Sequence, residues 1–255
     1  MRNILAIFKR DFRSSFTSPA AYVVIGLFLL VSGIFYYLLF SSFMQYSYAA
    51  MMQQQGTPIN VNLMMIRPFL LNISVIILFM IPMITMRSFS EDKKNGTIEF
   101  LLTAPLSNWQ IVIGKFLATY IFYIIMLGST APFLVFLFYW GNPELEPVLM
   151  GYLGLLLLGA ALIAAGNFIS SLTENQIVAA VGTFGLTMFL WIVGFSTDFI
   201  GKISGKLLEY ISVITHFEDF SKGIFDTSHL VFYVSFTFLM LYLTYQSIES
   251  SRWRS

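Results

Sequence analysis

Six stretches of this chain lack Asp, Glu, Lys and Arg and are long enough to cross a bilayer as helices, which takes about 20 residues with a range of about 17 to 25. They cover 19–43, 68–86, 116–140, 148–172, 176–197 and 230–246. Hydrocarbon offers no hydrogen-bond partner to an open strand edge, so each stretch is predicted to be a helix. The sequence therefore predicts an all-α integral membrane protein with six transmembrane helices in one domain, 1–255.

The composition argues against several other classes of protein. Of the 255 residues, 57% are hydrophobic and 11% are charged, whereas soluble domains carry about 25% charged residues. The net charge of +1 argues against a nucleic-acid partner, since phosphate binding needs a clustered basic face. The absence of cysteine removes disulfides, thiol nucleophiles and thiolate metal sites.

Basic residues predict the orientation of the six helices, because Lys and Arg concentrate in cytoplasmic connections. With both termini in the cytoplasm, ten of the 14 basic residues lie in inner segments and four in outer ones. The inner ones are Arg2, Lys9, Arg10, Arg13, Arg87, Lys93, Lys94, Lys115, Arg252 and Arg254, and the outer ones are Arg67, Lys202, Lys206 and Lys222. A multi-pass protein with both termini in the cytoplasm is therefore predicted.

The segment 1–18 is predicted to form an amphipathic helix that lies in the membrane interface. One side of this helix is apolar and an adjacent side is basic. The apolar side holds Ile4, Leu5, Phe8, Phe12 and Phe16, and the basic side holds Arg2, Lys9 and Arg13. The cations either meet anionic headgroups as a topological anchor or help the helix to dock on a partner. The pattern favours the anchor, and the two roles are compatible.

The connection between the second and third spans, 87–115, is polar but carries a second apolar pattern. Thr97 follows an Asn-Gly pair and suits an N-cap, and Glu99 lies in the next turn, where a carboxylate suits the helix dipole. The predicted short helix ends at Thr103, because the residue before Pro105 is pushed out of the helical region.

Two capping boxes are predicted where the inner connections meet the spans that follow them. The boxes are 107–110 and 173–176, and flanking residues are spaced as hydrophobic staples, Leu106 with Ile111 and Leu172 with Ile177. Such rigid turns either simply begin stable helices or also transmit force from a soluble partner. The capping motifs leave both interpretations open.

Three segments carry a resemblance to a known family. They are RSFSEDKKNGTIEFLLTAPLSNWQIVIGK at 87–115, GNFISSLTENQIVAA at 166–180 and ITHFEDFSKGIFD at 214–226. The chain resembles the type-2 ABC-exporter permeases over essentially its whole length. Within that family it is similar to the branch of gliding-motility-associated and nitrous-oxide-reductase-maturation permeases. The resemblance implies a location in the bacterial cytoplasmic membrane.

The resemblance also implies a coupling helix in the cytoplasmic segment 88–110, inserted in a groove of a separate ABC ATPase subunit. The residues implied to contact that subunit are Glu91, Asn95, Gly96, Thr97, Ile98, Glu99, Leu101, Leu102, Pro105, Lys9, Arg10 and Phe12. ATP and Mg would bind the ATPase subunit, and no cofactor would bind this chain. A second permease copy or a paralogue would complete a dimer in membrane lipid. The outer loop 198–229 would hold two short re-entrant helices.

Catalytic motifs are not apparent. The nearest approach to a phosphate-binding loop, Gly201 to Lys206, has its glycines one residue too close, and Leu207 replaces the Ser or Thr that would hold magnesium. The chain has two histidines, His216 and His229, and interfacial hydrogen bonding explains both of them. A metal held by His216, Glu218 and Asp219 is the less favoured alternative, and no metal site is assigned.

Uncharged polar residues occur within the predicted spans, where Asp, Glu, Lys, Arg and His are absent. They are interpreted as hydrogen-bonding between helices, and the alternative is that they line a translocation path. The residues are Asn72, Ser74, Thr130, Asn167, Thr183 and Thr187.

The resemblance thus implies a non-enzymatic permease subunit of an ABC exporter, which couples ATP hydrolysis by a separate ATPase subunit to substrate movement across the membrane. One alternative is a non-transporting membrane scaffold or mechanical component of an ATPase-driven motility or maturation complex. A membrane-embedded enzyme or ion-coupled carrier is disfavoured, since neither catalytic clusters nor charges occur within the predicted spans.

Overall fold

A computed structural model describes residues 2–52, 60–99, 106–141, 143–194, 210 and 212–252. All regular secondary structure in these ranges is helical. The helices are α1 (Arg2–Thr17), α2 (Pro19–Met52), a π-helical turn (Asn62–Ile66), α3 (Arg67–Thr85), α4 (Ser90–Lys94), α5 (Asn108–Gly128), α6 (Ala131–Gly141), α7 (Leu145–Leu172), α8 (Gln176–Ile192), α9 (Val213–Ser221) and α10 (Thr227–Arg252).

Five helical stretches of the described chain are long and apolar enough to span a membrane. They are Pro19–Met52, Asn62–Lys94, Asn108–Gly141, Leu145–Leu172 and Thr227–Ser250. Each contains one of the predicted spans, so five of the six predictions are confirmed as apolar helices of spanning length. The remaining one, 176–197, begins with α8, which is apolar but only 17 residues long, and 195–197 lie outside the described residues. The count of six spans stays a prediction.

The third predicted span is two helices. α5 ends at Gly128 and α6 begins at Ala131, because Pro132 has no N–H to continue the helical ladder. The Thr130 hydroxyl donates to the Leu127 carbonyl at 2.6 Å and helps to satisfy the broken end. By contrast, Pro82 lies inside α3 without ending it.

Helices α3 and α7 form the centre of the bundle. Buried residues make up 61% of an 18-residue apolar stretch in each, against 17% of the corresponding stretches in α2 and α10, so the latter two lie at the periphery. Glycines let α7 approach its neighbours closely: a Cβ at Gly159 would lie 2.2 Å from the Tyr123 ring, and one at Gly166 would lie 2.3 Å from the Thr85 hydroxyl. Gly185 of α8 has open space where its Cβ would be.

One predicted capping box is confirmed and the other is wrong. Ser107 caps α5, and the Gln110 side chain accepts from the Ser107 backbone N–H at 3.3 Å. At the start of α8, however, Asn175 is the N-cap, and its side chain accepts from the Ile177 N–H at 2.9 Å. The Thr173 hydroxyl instead accepts from the Asn175 N–H, so Thr173 holds the backbone of the capping residue rather than capping the helix itself.

The helix α9 packs against α7, α8 and α10. It meets α7 at Gly154, near the start of that helix, whereas the connection beside α1 meets α7 at Ser170, near its end, so α9 and α1 lie at opposite ends of the bundle. Helix α9 falls in the predicted outer loop 198–229. The second predicted short helix and the glycine-rich segment Gly201–Lys206 lie outside the described residues. Hereafter the two ends of the bundle are called the α1 end and the α9 end.

Candidate coupling site at the α1 end

Helix α1 packs along the first half of α5. Gly114 makes this possible, because a Cβ there would lie 2.9 Å from a side-chain carbon of Ile7. Ile7 is buried against Phe89 and Ile111, whereas Leu5 is 62% exposed. The buried face of α1 is therefore rotated from the predicted apolar side, which included Leu5 and omitted Ile7. The face centred on Ile7 packs on α5, and the position of α1 in the membrane interface stays a prediction.

The remaining apolar residues of α1 form a ladder of aromatic rings along the helix. The ring centres of Phe8 and Phe12 are 5.5 Å apart, those of Phe12 and Phe16 are 4.9 Å apart, and Phe16 reaches Phe122 of α5 at 5.4 Å. Phe12, one of the residues implied to contact an ATPase subunit, thus packs within α1 on both sides.

Four charged side chains meet where α1, α4 and α5 converge, and we call them the ion cluster: Arg10, Asp11, Asp92 and Lys115. The Lys115 ammonium lies 2.6 Å from Asp92 Oδ2 and 3.0 Å from Asp11 Oδ2. Arg10 contacts the same two carboxylates, at 2.7 Å from Asp11 Oδ1 and 3.2 Å from Asp92 Oδ2. Two cations thus balance two anions across three segments of the chain.

Lys115 is the centre of the ion cluster. Its side chain is 3% exposed, and its ammonium also donates to the Ser88 carbonyl and lies 5.1 Å from the centre of the Phe89 ring. A buried ammonium is stable only when it is paired and hydrogen-bonded. Removing either carboxylate would therefore leave a costly unbalanced charge, so the three segments are held together as one unit.

The α7 helix holds the connection that carries Asp92. The Ser170 hydroxyl accepts from the backbone N–H groups of Phe89 and Ser90 at 3.1 and 3.2 Å, and donates to the Met86 carbonyl at 3.2 Å. These bonds satisfy backbone groups where the chain turns from α3 into α4. The ion cluster is therefore fixed to the centre of the bundle as well as to α1.

Thr97 forms a hydrogen bond with Asp92 of the ion cluster, five residues earlier in the chain. Its hydroxyl donates to Asp92 Oδ1 at 2.8 Å, and Thr97 is already helical, so its predicted role as an N-cap is wrong. Gly96 before it has a φ of +69°, a left-handed conformation that favours glycine. The predicted short helix is present at 97–99, and the rest of it, to Thr103, lies outside the described residues.

The other residues implied to contact an ATPase subunit are spread over this surface. Lys9, Glu91, Asn95 and Glu99 are exposed, and Ile98 is half-buried. Leu101, Leu102 and Pro105 lie outside the described residues. Sequence reasoning missed Asp11, Asp92 and the central position of Lys115, although Lys115 at the edge of an apolar stretch is a signal that a carboxylate partner is needed.

A cavity of about 840 Å³ lies beside the ion cluster, between α1, α2, α3 and α5. Its lining joins charged groups, among them Arg87 and Glu91, with apolar side chains such as Val24 and Met83. Arg87 donates to the hydroxyl of Ser18, another lining residue, at 3.3 Å. The polar residues suggested for a translocation path do not line it.

Those polar residues have varied environments. Thr130 lies 2.6 Å from the Tyr152 hydroxyl of α7, which confirms a hydrogen bond between helices. Ser74 and Thr187 donate to carbonyls of their own helices, so that interpretation is wrong for them. Asn167 and Thr183 are buried, and their side-chain polar atoms have no hydrogen-bond partner among the described residues. Asn72 is half-buried in α3.

Comparison with known proteins gives two findings. The profile of the family described as "ABC-2 family transporter protein" matches residues 5–251. Two Escherichia coli proteins, from strain K12 and from O157:H7, are each named "Probable multidrug ABC transporter permease YbhR" and are 26% identical to this chain over 147 residues. The match covers 56% of this chain and 39% of each relative, less than half of their length. Because the family match extends over nearly the whole sequence, this chain belongs to the ABC-2 transporter family.

Proposed function

We propose that this chain is the permease of an ABC exporter in a bacterial cytoplasmic membrane, driven by ATP hydrolysis on a separate ATPase subunit at the α1 end. The ion cluster is the observation that carries the proposal. It joins a surface helix, a surface connection and a long apolar helix through charges that are costly to separate.

The ion cluster would act as a mechanical joint. Movement of an ATPase subunit against α1 or α4 would displace Arg10, Asp11 or Asp92, and the buried ammonium of Lys115 would carry that displacement into α5. A rigid contact suits this task because packed and paired elements move as units rather than deform continuously. No ATP-binding role for this chain is required.

An ATPase subunit would dock on the surface formed by the exposed residues Lys9, Glu91, Asn95 and Glu99. The left-handed Gly96 lies among them with open space around it, so a partner could approach the backbone there closely. We extend the docking surface to Leu101, Leu102 and Pro105 on the resemblance alone.

A second permease copy or a paralogue would complete the membrane part of the transporter. The exposed face of α8 supports this, because it presents Val181, Gly185 and Phe189 away from the bundle. A small residue between larger apolar ones permits close approach of another helix in a membrane. Lipid is the occupant of that face in the absence of the second subunit.

A membrane scaffold that an ATPase actuates without moving a solute is the second candidate. The resemblance to the gliding-motility and nitrous-oxide-reductase-maturation branch favours it, whereas the word "permease" in the names of the E. coli relatives favours transport. Both candidates use the ion cluster in the same way, and they differ in whether cargo crosses.

The test combines purification and reconstitution. The chain is extracted gently from its native host, the copurifying ATPase is identified, and ATP hydrolysis and cargo efflux are measured in proteoliposomes. We expect Lys115→Met to uncouple the two activities, with Arg13→Met, which removes an exposed charge outside the ion cluster, as the matched control. If no ATPase copurifies, or if a correctly assembled Lys115→Met complex retains coupling, the proposed function is wrong. Coupled hydrolysis without efflux of any cargo selects the scaffold.

A further inference from the structure

The chain's two histidines meet at the α9 end. His216 lies in α9 and His229 lies in the first turn of α10, and their Nδ1 atoms are 2.6 Å apart. His216 is buried, and its ring stacks on Phe232 with centres 4.0 Å apart. The structure thus pairs His216 with His229 rather than with Glu218 and Asp219, the alternative suggested by the sequence.

The partners of the two Nε2 atoms determine where the hydrogens of the histidine pair lie. His216 Nε2 lies 3.0 Å from the Tyr210 carbonyl oxygen, and His229 Nε2 lies 3.0 Å from Asp219 Oδ2. A carbonyl and a carboxylate oxygen only accept, so each Nε2 carries a hydrogen. If both rings were neutral, each Nδ1 would then present a lone pair to the other at 2.6 Å.

One positive charge must therefore lie between the two Nδ1 atoms. A hydrogen-bond length of 2.6 Å fits a proton, whereas two imidazole ligands about 2.0 Å from a metal ion would stand farther apart. No group of three or more His, Asp or Glu side chains suited to a metal occurs in the described part of the chain. The pair holds three hydrogens on two rings and one net charge.

The surroundings of the pair supply the balancing charge. Asp219 contacts His229 on one oxygen and the Lys222 ammonium, at 2.8 Å, on the other. The hydrogen bond from Lys222 holds the pKa of Asp219 below its usual range, and together with the bond from His229 it outweighs burial, which alone would raise that pKa. Other titratable groups nearby are the exposed Glu218 of α9, Asp226, which accepts from the Ser228 N–H, and the Tyr210 and Tyr233 rings beside His216.

We propose that His216 and His229 form a proton-binding site that ties α9 to α10 only while a single proton is shared between them. A second proton would place an N–H on both Nδ1 atoms, and the bond would be lost. Loss of the shared proton would leave two facing lone pairs.

The response to pH is confined to the junction between α9 and α10. α9 is also held by apolar contacts, because Phe217 and Phe220 are fully buried against α7, at Gly154. The Tyr233 hydroxyl donates to the Val213 carbonyl at 2.6 Å. These contacts carry no charge at ordinary pH, so acidification would loosen α9 without releasing it from the bundle. This inference does not depend on the proposed function.

The shared proton is tested by NMR on the full chain in lipid nanodiscs, with ¹⁵N-labelled histidine and an affinity tag that contains no histidine. Since the chain has two histidines, all imidazole signals come from this site. We expect a coupling across the hydrogen bond between the two Nδ1 nitrogens near pH 7, with both Nε2 atoms protonated, and its loss by about pH 4.5. Absence of that coupling throughout the range from pH 5 to pH 8 would overturn the proposal.

Hydrogen exchange measures the effect on α9. After correction for intrinsic rates, we expect protection of 213–221 to fall about tenfold on acidification, the scale of one charge-assisted hydrogen bond. His216→Phe keeps the stacking on Phe232 but holds no proton, so its α9 should show no such step. An equal step in His216→Phe, or stoichiometric binding of Zn²⁺ by both Nδ1 atoms at pH 7, would overturn the proposal.

Discussion

At each end of this bundle, polar side chains join a short helix to a long one. The chemistry of the two junctions differs. At the α1 end, the ion cluster joins α1 and α4 to α5 through Arg, Lys and Asp. At the α9 end, two imidazoles join α9 to α10. The first joint is built from carboxylates, an ammonium and a guanidinium, whereas the second is built from imidazoles, the side chain on which pH switches in proteins usually depend. A permanent joint and a conditional one thus occupy opposite ends of the same fold.

The largest effect is expected from Lys115→Met. The variant leaves two carboxylates with only Arg10, which is partly exposed, so we expect a loss of about 3 kcal/mol in the free energy of unfolding. Thermal unfolding in detergent measures it, and Lys115→Met combined with Asp92→Asn should recover part of the loss by restoring neutrality. A loss below about 1 kcal/mol would show that the ion cluster is not the joint described.

The next largest effect compares two glycines with left-handed backbones, one at each end. Gly223 has a φ of +83°, and its added Cβ would lie 3.2 Å from Pro147 of α7, whereas Gly96, at +69°, has open space around it. Gly96→Ala is expected to cost about 1 kcal/mol for the backbone alone. Gly223→Ala adds crowding and is expected to cost about 2 kcal/mol. The same unfolding assay compares the two variants. Equal losses of stability would mean that Pro147 can shift to make room for the added Cβ.

A smaller effect is expected from Asp219→Asn. The side chain is 35% exposed, so solvent screens its ion pairs and the cost should stay below about 1 kcal/mol at neutral pH. Because folding lowers the pKa of Asp219, its contribution is present above the ordinary carboxyl range and is lost as pH falls through the folded value. Stability measured from pH 6 down to 3 should therefore fall less in Asp219→Asn than in the wild type. Identical slopes would contradict this role.

The smallest effect is expected from Arg10→Gln. The Arg10 side chain is 44% exposed, and Lys115 still balances the carboxylates from the buried side, so we expect a cost of about 0.5 kcal/mol. Raising the salt concentration in the same unfolding assay should shrink the difference between this variant and the wild type. A cost as large as that of Lys115→Met would reverse the order of importance within the ion cluster.

Local sequence signals predicted the helices and one helix cap. Long apolar runs require helices in a membrane, and the capping box at Ser107 acts within a few residues, so both could be predicted. The turn at 173–176 offers two capping residues, Thr173 and Asn175, and the sequence pattern selected the wrong one. Competition between neighbouring caps depends on where the preceding helix ends, which α7 sets by its packing.

The two polar clusters could not be predicted because each depends on contacts between distant residues. Asp11, Asp92 and Lys115 are separated by more than 20 residues at each step, and only the packing of α1 on α5 brings them together. His216 and His229 are 13 residues apart on two helices joined by a turn at Gly223. A sequence pattern identifies charges that need partners, but the fold selects which partners they obtain.

The break between α5 and α6 gives the joint at the α1 end a limited reach. Lys115 lies on α5, and the helical ladder stops before Pro132, so a tilt of α5 is not forced on α6. α6 instead packs on α2, where the Phe133 ring stacks on Tyr36 with centres 5.1 Å apart. The third apolar stretch is therefore divided at its break. α5 would move with the surface helices α1 and α4, whereas α6 would stay with α2 at the periphery of the bundle.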